Sequence, residues 1–170
     1  IIAAAARLRA EGREDFIVVF AGDDQGRTDY REEILAAIAA AGLEDCVKVV
    51  GHCDDMPAAF LLADVALLPT LKPESFGRTA VEPQVMERPV IVSDHGGARE
   101  TVVDGETGWR APPGDVAAWA RAMKTAIEAG GERRRAMGEL GAARARRLYS
   151  VDAMCDATLE VYARVLEARA

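Results

Sequence analysis

Residues 65–82 read Val65-Ala66-Leu67-Leu68-Pro69-Thr70-Leu71-Lys72-Pro73-Glu74-Ser75-Phe76-Gly77-Arg78-Thr79-Ala80-Val81-Glu82. The apolar run at its start has the length of a buried strand, and Gly77 opens a helix that carries Val81 and Glu82. Two carboxylates, several free backbone amides and a helix N-terminus therefore converge just past the end of a strand. Open parallel sheets bind anionic ligands at that place. A carboxylate accepts hydrogen bonds from sugar hydroxyls and an amide cluster favours phosphate, so the stretch suits a ligand that carries both.

The rest of the chain agrees with such a sheet. The spacing predicts a helix over 1–11 closed by Gly12, a buried strand over 16–20, and a helix over 31–41 with Ile34, Leu35 and Ile38 on one face. A strand over 47–50 ends at Gly51, and a short helix covers 56–63. Beyond the strand at 65–69 and the helix at 77–87 come a strand over 90–92, a short helix over 99–103 and a short edge strand over 108–110. Three helices follow. The first puts Val116, Trp119, Met123 and Ile127 along one face, with Trp119 and Met123 at core spacing. The second, from about 132 to 148, is rich in arginine. The last, over 149–170, repeats Val151, Met154, Thr158, Tyr162 and Val165. Strands alternating with helices mean a parallel sheet covered on both faces. The expected fold is α/β, a Rossmann-like parallel sheet with helices on both faces and a C-terminal helical tail packed at one end.

Composition narrows the function classes. A chain of 170 residues suits one domain over 1–170. The net charge of −7 argues against a dedicated nucleic-acid binder, which needs clustered Lys and Arg. Three cysteines, Cys46, Cys53 and Cys155, without paired metal spacing point to a reducing, cytoplasmic setting. Two histidines, His52 and His95, do not make a metal centre, so no metal and no cofactor are expected. No apolar run is long enough to span a bilayer. The opening Ile1-Ile2-Ala3-Ala4 looks like a helix cut from something longer, and the expectation is a domain excised from a larger protein.

The pair Glu74 and Glu82 is weak evidence when taken alone, because both could be solvated helix-end charges. Its setting between two buried strands and two prolines, Pro69 and Pro89, gives it weight. At this point the chain resembles a known family. ESFGRTAVE is similar to the E-x7-E motif of retaining glycosyltransferases, especially the large family 4. Phe20-Ala21-Gly22-Asp23 resembles the strand-Gly-Asp near the start of that family's C-terminal domain. Val50-Gly51-His52-Cys53-Asp54-Asp55-Met56 resembles its strand-Gly turn before a short helix. Val92 to Glu100, with His95-Gly96-Gly97, resembles its Gly-Gly-x-x-Glu segment, and Asp104 to Gly108 the turn after it. Tyr149-Ser150-Val151 resembles the entry to its final helix. The order is collinear over nearly the whole chain.

The resemblance implies one half of a GT-B enzyme, the C-terminal, donor-binding domain of a two-domain protein that works without bound metal. Its pattern gives Glu82 the ribose hydroxyls and puts Glu74, as catalytic residue, beside the donor sugar. The backbone at Ser75, Phe76, Gly77, Arg78 and Thr79 faces the sugar and diphosphate. In the family the turn at His52, Cys53 and Asp55 contacts the base; the plain reading is that Asp54 or Asp55 caps the next helix. Gly96 and Gly97 are either a backbone approach to the donor sugar or an ordinary glycine turn.

The implied activity is transfer of a hexosyl group from a nucleotide-diphosphate sugar to a hydroxyl acceptor, once joined to an N-terminal GT-B domain that is the chain's partner. The fragment alone is expected to be inactive. The alternative is a non-catalytic nucleotide- or sugar-phosphate-binding module. A nicotinamide dehydrogenase fits poorly, because Gly22-Asp23-Asp24-Gln25-Gly26 stands where G-x-G-x-x-G is required. Arg133, Arg134, Arg135, Arg144, Arg146 and Arg147 make a basic helix, read either as a solvated face or as contact with an anionic membrane surface that would suit a lipid-linked acceptor. Three features depart from the family pattern. The segment with an Arg and a Lys that neutralise the diphosphate is absent, Asp24 stands where a second glycine is common, and Pro83 follows Glu82, where a helix loses a hydrogen bond and bends.

Overall fold

The computed structural model describes residues 1–23, 26 and 28–168. Asp24 lies outside that set, as does the end of the 149–170 helix. Five short strands alternate with helices: α1 Ile2–Ala10, β1 Val18–Ala21, α2 Thr28–Ala40, β2 Val47–Gly51, α3 Met56–Leu62, β3 Ala66–Leu68, α4 Arg78–Val85, β4 Val90–Ser93, α5 Ala98–Thr101 and β5 Gly108–Ala111. Three helices close the chain: α6 Val116–Glu128, α7 Gly130–Tyr149 and α8 Val151–Glu167.

All strand pairs are parallel, but the strands form two sheets where one was expected. β1 pairs with β2, with Val18 opposite Val47 and a register shift between Phe20 and Ala21. β4 lies between β3 and β5, with Ile91 opposite both Leu67 and Trp109. The edge position expected for the 108–110 strand is therefore the observed one.

Alternation along β4 shows how the two faces are covered. Ile91 enters a core with Ala4, Ala5 and Leu8 of α1, Val18, Ile38, Val47, and Trp119 and Met123 of α6. Val90 and Val92 enter a second core with Ala80 of α4, Ala98 of α5 and Val102. Both faces are thus packed, which is why β4 is buried at every position while β3, an equally apolar segment, is only half buried. Burying a side chain of the size of Ile91 or Trp119 stabilises by roughly 1.5–3 kcal/mol, so these two clusters hold the domain together.

The helical tail differs from its expected packing. α6 buries Trp119 and Met123 as its spacing predicts. α7 approaches the α4 end so closely that a Cβ on Gly138 would lie 2.0 Å from the Glu87 carbonyl oxygen. α8 buries none of its residues, and Val151, Met154, Leu159, Val161, Tyr162, Val165 and Leu166 stay exposed. Periodicity located the apolar stripe of α8 but not whether this chain covers it.

The arginines of α7 mostly serve the fold. Arg133 donates to the Gly105 carbonyl at 2.8 Å, Arg134 to Ala126 and Ile127 carbonyls at 3.0 and 3.1 Å, and Arg144 to the Glu100 carbonyl at 2.7 Å. Arg134 also pairs with Asp64 at 3.1 Å, and Arg146 with Glu87 at 3.8 Å. They cap orphan carbonyls at the ends of neighbouring elements. No helix among the described residues is long and apolar enough to cross a membrane.

Candidate functional site

Because the strands are parallel within each sheet, the loops after β3 and β4 share the C-terminal edge of one sheet and those after β1 and β2 the C-terminal edge of the other. The loop after β3 carries Glu74, Ser75, Phe76 and Gly77. Gly77 adopts φ +80° as the N-cap of α4, a left-handed conformation that a side chain would resist. No side chain caps that helix end, which leaves its first amides to be satisfied from outside. The Glu74 carboxylate lies over this position: a Cβ on Gly77 would sit 3.6 Å from Glu74 Oε2. Glu74 is half buried, while Ser75, Phe76, Arg78 and Thr79 are exposed. The Glu74 carboxylate and a helix N-terminus without a side-chain cap therefore occur together, flanked by exposed residues.

Glu82 lies one turn along α4 and accepts from Arg78 Nη2 at 3.1 Å, an exposed i,i+4 pair. Sequence reasoning did not find this partner. Pro83 does not end α4, which runs on through it to Val85 without the bond that position would make to the Thr79 carbonyl, and Met86 N–H returns to the Glu82 and Pro83 carbonyls. Pro83 and Gln84 are buried, and Gln84 Nε2 donates to the Ala80 and Thr101 carbonyls at 2.8 and 3.2 Å.

The loop after β4 clamps the Glu74 loop from one side. Gly97 N–H donates to the Glu74 carbonyl at 2.8 Å. A Cβ on Gly96 would stand 2.6 Å from that carbonyl oxygen, and one on Gly97 would stand 2.6 Å from Phe76 Cα. Both glycines are thus required by the contact of two loops. His95 adds a hydrogen bond from Nε2 to the Thr70 carbonyl at 2.9 Å. Asp94, just before it, pairs with Arg99 at 3.1 Å and Arg110 at 3.5 Å.

His52, Cys53 and Asp55 gather separately, at the end of β2. Asp55 Oδ1 accepts from the Ala58 N–H at 2.9 Å and caps α3, so the capping role predicted for one of the two aspartates belongs to Asp55. Cys53 Sγ donates to the Asp55 carbonyl at 3.5 Å. His52 is exposed between two carboxylates, Asp54 at 2.9 Å and Asp23 at 3.6 Å. The site residues thus fall into two groups, one beside each sheet. Glu74 to Glu82 stand with Gly96 and Gly97; His52, Cys53 and Asp55 stand with the β1 end. Among the described residues no group of three or more His, Cys, Asp or Glu side chains could hold a metal ion.

One further contact comes from a segment read from sequence only as the entry to the last helix. Tyr149, the last residue of α7, packs edge-on against Phe76 with ring centroids 5.2 Å apart, and its hydroxyl donates to the Glu100 carbonyl at 3.0 Å. Nothing in local spacing links positions so far apart in sequence.

The fold is that of a Rossmann-like α/β domain, with Glu74 beside an α4 N-terminus that no side chain caps. Residues 1–144 match the model of the family described as glycosyl transferases group 1, and the chain belongs to that family. It is 33% identical over 164 residues to the D-inositol 3-phosphate glycosyltransferase of Kineococcus radiotolerans, covering 91% of this chain and 37% of that protein. Its fold is that of GT-B glycosyltransferase domains. Anabaena HepE in complex with UDP superposes with a TM-score of 0.86 at 27% identity, covering 96% of this chain and 44% of that one. The C-terminal domain of a glycosyl transferase group 1 protein from Francisella tularensis shares the fold, at a TM-score of 0.75 and 23% identity, with 88% of this chain and 77% of that one covered. The chain spans less than half the length of the first two proteins.

Proposed function

We propose that this chain is the donor-binding, C-terminal part of a retaining hexosyltransferase that uses a nucleotide-diphosphate sugar without a bound metal. The carrying observation is the Glu74 carboxylate set over the uncapped N-terminus of α4 at φ +80° Gly77. In this reading the α4 amides and the backbone of Ser75 to Thr79 bind the diphosphate and sugar. Glu82 takes the ribose hydroxyls, Glu74 the sugar, and the backbone at His52 and Cys53 the base. The complex of HepE with UDP supports a nucleotide ligand on this fold.

The reaction breaks the bond between the sugar's anomeric carbon and the diphosphate oxygen. On the same face the acceptor oxygen forms its bond to that carbon, and its proton passes to the departing phosphate. Charge builds on the leaving group, so catalysis is leaving-group stabilisation and positioning.

A second part of the protein supplies the acceptor site. The sheet supports this larger protein. In a doubly wound sheet of order 3-2-1-4-5-6, removing strand 1 leaves a pair and a triplet of parallel strands. β2-β1 and β3-β4-β5 form such a pair and triplet. A strand in that place would end between the two groups of site residues. The setting is cytoplasmic, and the carbonyl-bound arginines of α7 favour a solvated face over a membrane contact.

Isothermal titration with UDP, GDP, ADP and their glucose and mannose conjugates tests the reading, with Glu82→Ala as control. One nucleotide should bind at micromolar to millimolar Kd and lose affinity in the variant, and the 170-residue chain alone should transfer no sugar. Binding by the full-length protein that is indifferent to Glu82→Ala would overturn the assignment.

A further inference from the structure

A closed circuit of contacts joins the α7–α8 junction to the Glu74 loop. Tyr149 Oη donates to the Glu100 carbonyl at 3.0 Å, where Arg144 Nη2 also donates at 2.7 Å. Glu100 and Thr101 in turn send their N–H groups to the Gly97 carbonyl, each at 3.0 Å. Gly97 N–H reaches the Glu74 carbonyl at 2.8 Å. Two residues on, the Phe76 ring returns to Tyr149, centroid to centroid 5.2 Å at 79°. One side chain thus grips the loop on both sides, through its hydroxyl by way of α5 and through its ring directly.

The position of Tyr149 gives the circuit its consequence. Phe76 is 42% exposed and directly precedes Gly77, the N-cap of α4, and its ring contact with Tyr149 adds to the backbone contact it makes with Gly97. Ser150, the next residue, N-caps α8 by accepting from the Ala153 N–H at 3.2 Å. α8 has no buried residue of its own, so this junction sets where it leaves the domain.

Resting on the donor-site reading above, we propose that Tyr149 is a positioning residue for the donor. It holds the Glu74–Gly77 backbone in its anion-binding geometry and links that geometry to the placement of α8. It touches no reacting atom. Its effect reaches the donor through Phe76 on one side and through Glu100 and Gly97 on the other.

The test uses the full-length protein carrying Tyr149→Phe, Tyr149→Ala, or Arg147→Ala as a neighbouring control. Hydrogen–deuterium exchange of the 72–80 segment is read beside titration of the tightest binder among UDP, GDP and ADP. Tyr149→Ala should speed exchange in that segment and weaken nucleotide binding, each by about tenfold, as expected for losing an aromatic edge contact and a hydrogen bond together. Tyr149→Phe, which keeps the ring, should show about threefold, and it decides the matter if the alanine variant fails to fold. Arg147→Ala should change neither. Unchanged exchange in the Tyr149 variants overturns the coupling. Faster exchange with unchanged nucleotide affinity, in a protein where Glu82→Ala abolishes binding, overturns the positioning role alone. Nucleotide binding indifferent to Glu82→Ala overturns the donor site and this role with it.

Discussion

Gly97→Ala separates the packing of the two site loops from ordinary glycine effects. Gly97 already has helical angles, φ −61° and ψ −22°, so alanine fits its backbone. Taken alone, that substitution stabilises by about 0.4–1 kcal/mol through the unfolded chain. Against this, the new Cβ would stand 2.6 Å from Phe76 Cα, where ordinary contact begins at 3.4 Å, so the loops must part by at least 0.8 Å. The atoms met are backbone and cannot rotate aside. Overpacking of this kind costs about 1–3 kcal/mol. Stretching the 2.8 Å bond from Gly97 N–H to the Glu74 carbonyl removes about 0.5–1.5 kcal/mol more. The clash wins, and a net loss of about 0.5–4 kcal/mol is expected from these terms. Gly131→Ala is the matched control, because nothing lies within 4 Å of its Cβ and its site in α7 is helical. Urea unfolding should show Gly97→Ala less stable and Gly131→Ala slightly more stable, with unchanged m-values. In the full-length enzyme, Gly97→Ala should also cut turnover by up to about a hundredfold, since displacements near 1 Å misplace reacting groups. A Gly97→Ala protein as stable as Gly131→Ala would refute the close approach of the two loops.

Asp55→Ala should cost about 1 kcal/mol in urea unfolding, the ordinary loss of an N-cap; a fall in nucleotide affinity at unchanged stability would instead assign Asp55 to the ligand. Under iodoacetamide, mass spectrometry should find Cys155 alkylated first, Cys53 next and Cys46 protected until unfolding, since the three are exposed, half-buried and buried. Burial pushes the Cys46 thiol above its ordinary value, so above about pH 8.5 the unfolded chain releases a proton that the native chain keeps. Stability should therefore fall as pH rises through that window, and Cys46→Ala should flatten the fall.

The fold was largely legible because its strands and helices announce themselves locally. Val90-Ile91-Val92 is an uninterrupted apolar run, and β4 is buried on both faces as such runs predict. Gly12, Gly42, Gly51 and Gly77 mark boundaries within a residue or two of the observed ends. Helix α2 begins at Thr28, earlier than expected, because its first turn carries Asp29 and Tyr30 outside the apolar stripe. The division into two sheets was not legible, since alternation of strands and helices fixes direction but not lateral order. Glu74, Gly96 and Gly97 could be named from sequence, yet the reason for the glycines could not. It is a contact between loops that follow different strands. Tyr149 escaped because its contact with Phe76 is equally remote in sequence, whereas the Arg78–Glu82 pair, at i,i+4 on one helix, was legible in the spacing and was overlooked.

That ion pair bears on how the site could be used. Glu82 Oε1 accepts from Arg78 at 3.1 Å, and a carboxylate keeps lone pairs for further donors, so ribose hydroxyls would either join this pair or displace it. Both side chains are largely open to water, at 83% and 43% exposure, and an exposed i,i+4 pair contributes only about 0.3–0.5 kcal/mol. A hydroxyl bonded to a carboxylate contributes about 1.5–3 kcal/mol. One such bond outweighs the pair, and a ribose diol offers two. Where hydroxyls displace it, Arg78 would be freed at the first turn of α4, where a cation opposes the helix dipole and a diphosphate would relieve it. On the proposed donor reading, the resting pair would thus cost the donor little and leave a guanidinium beside the incoming charge.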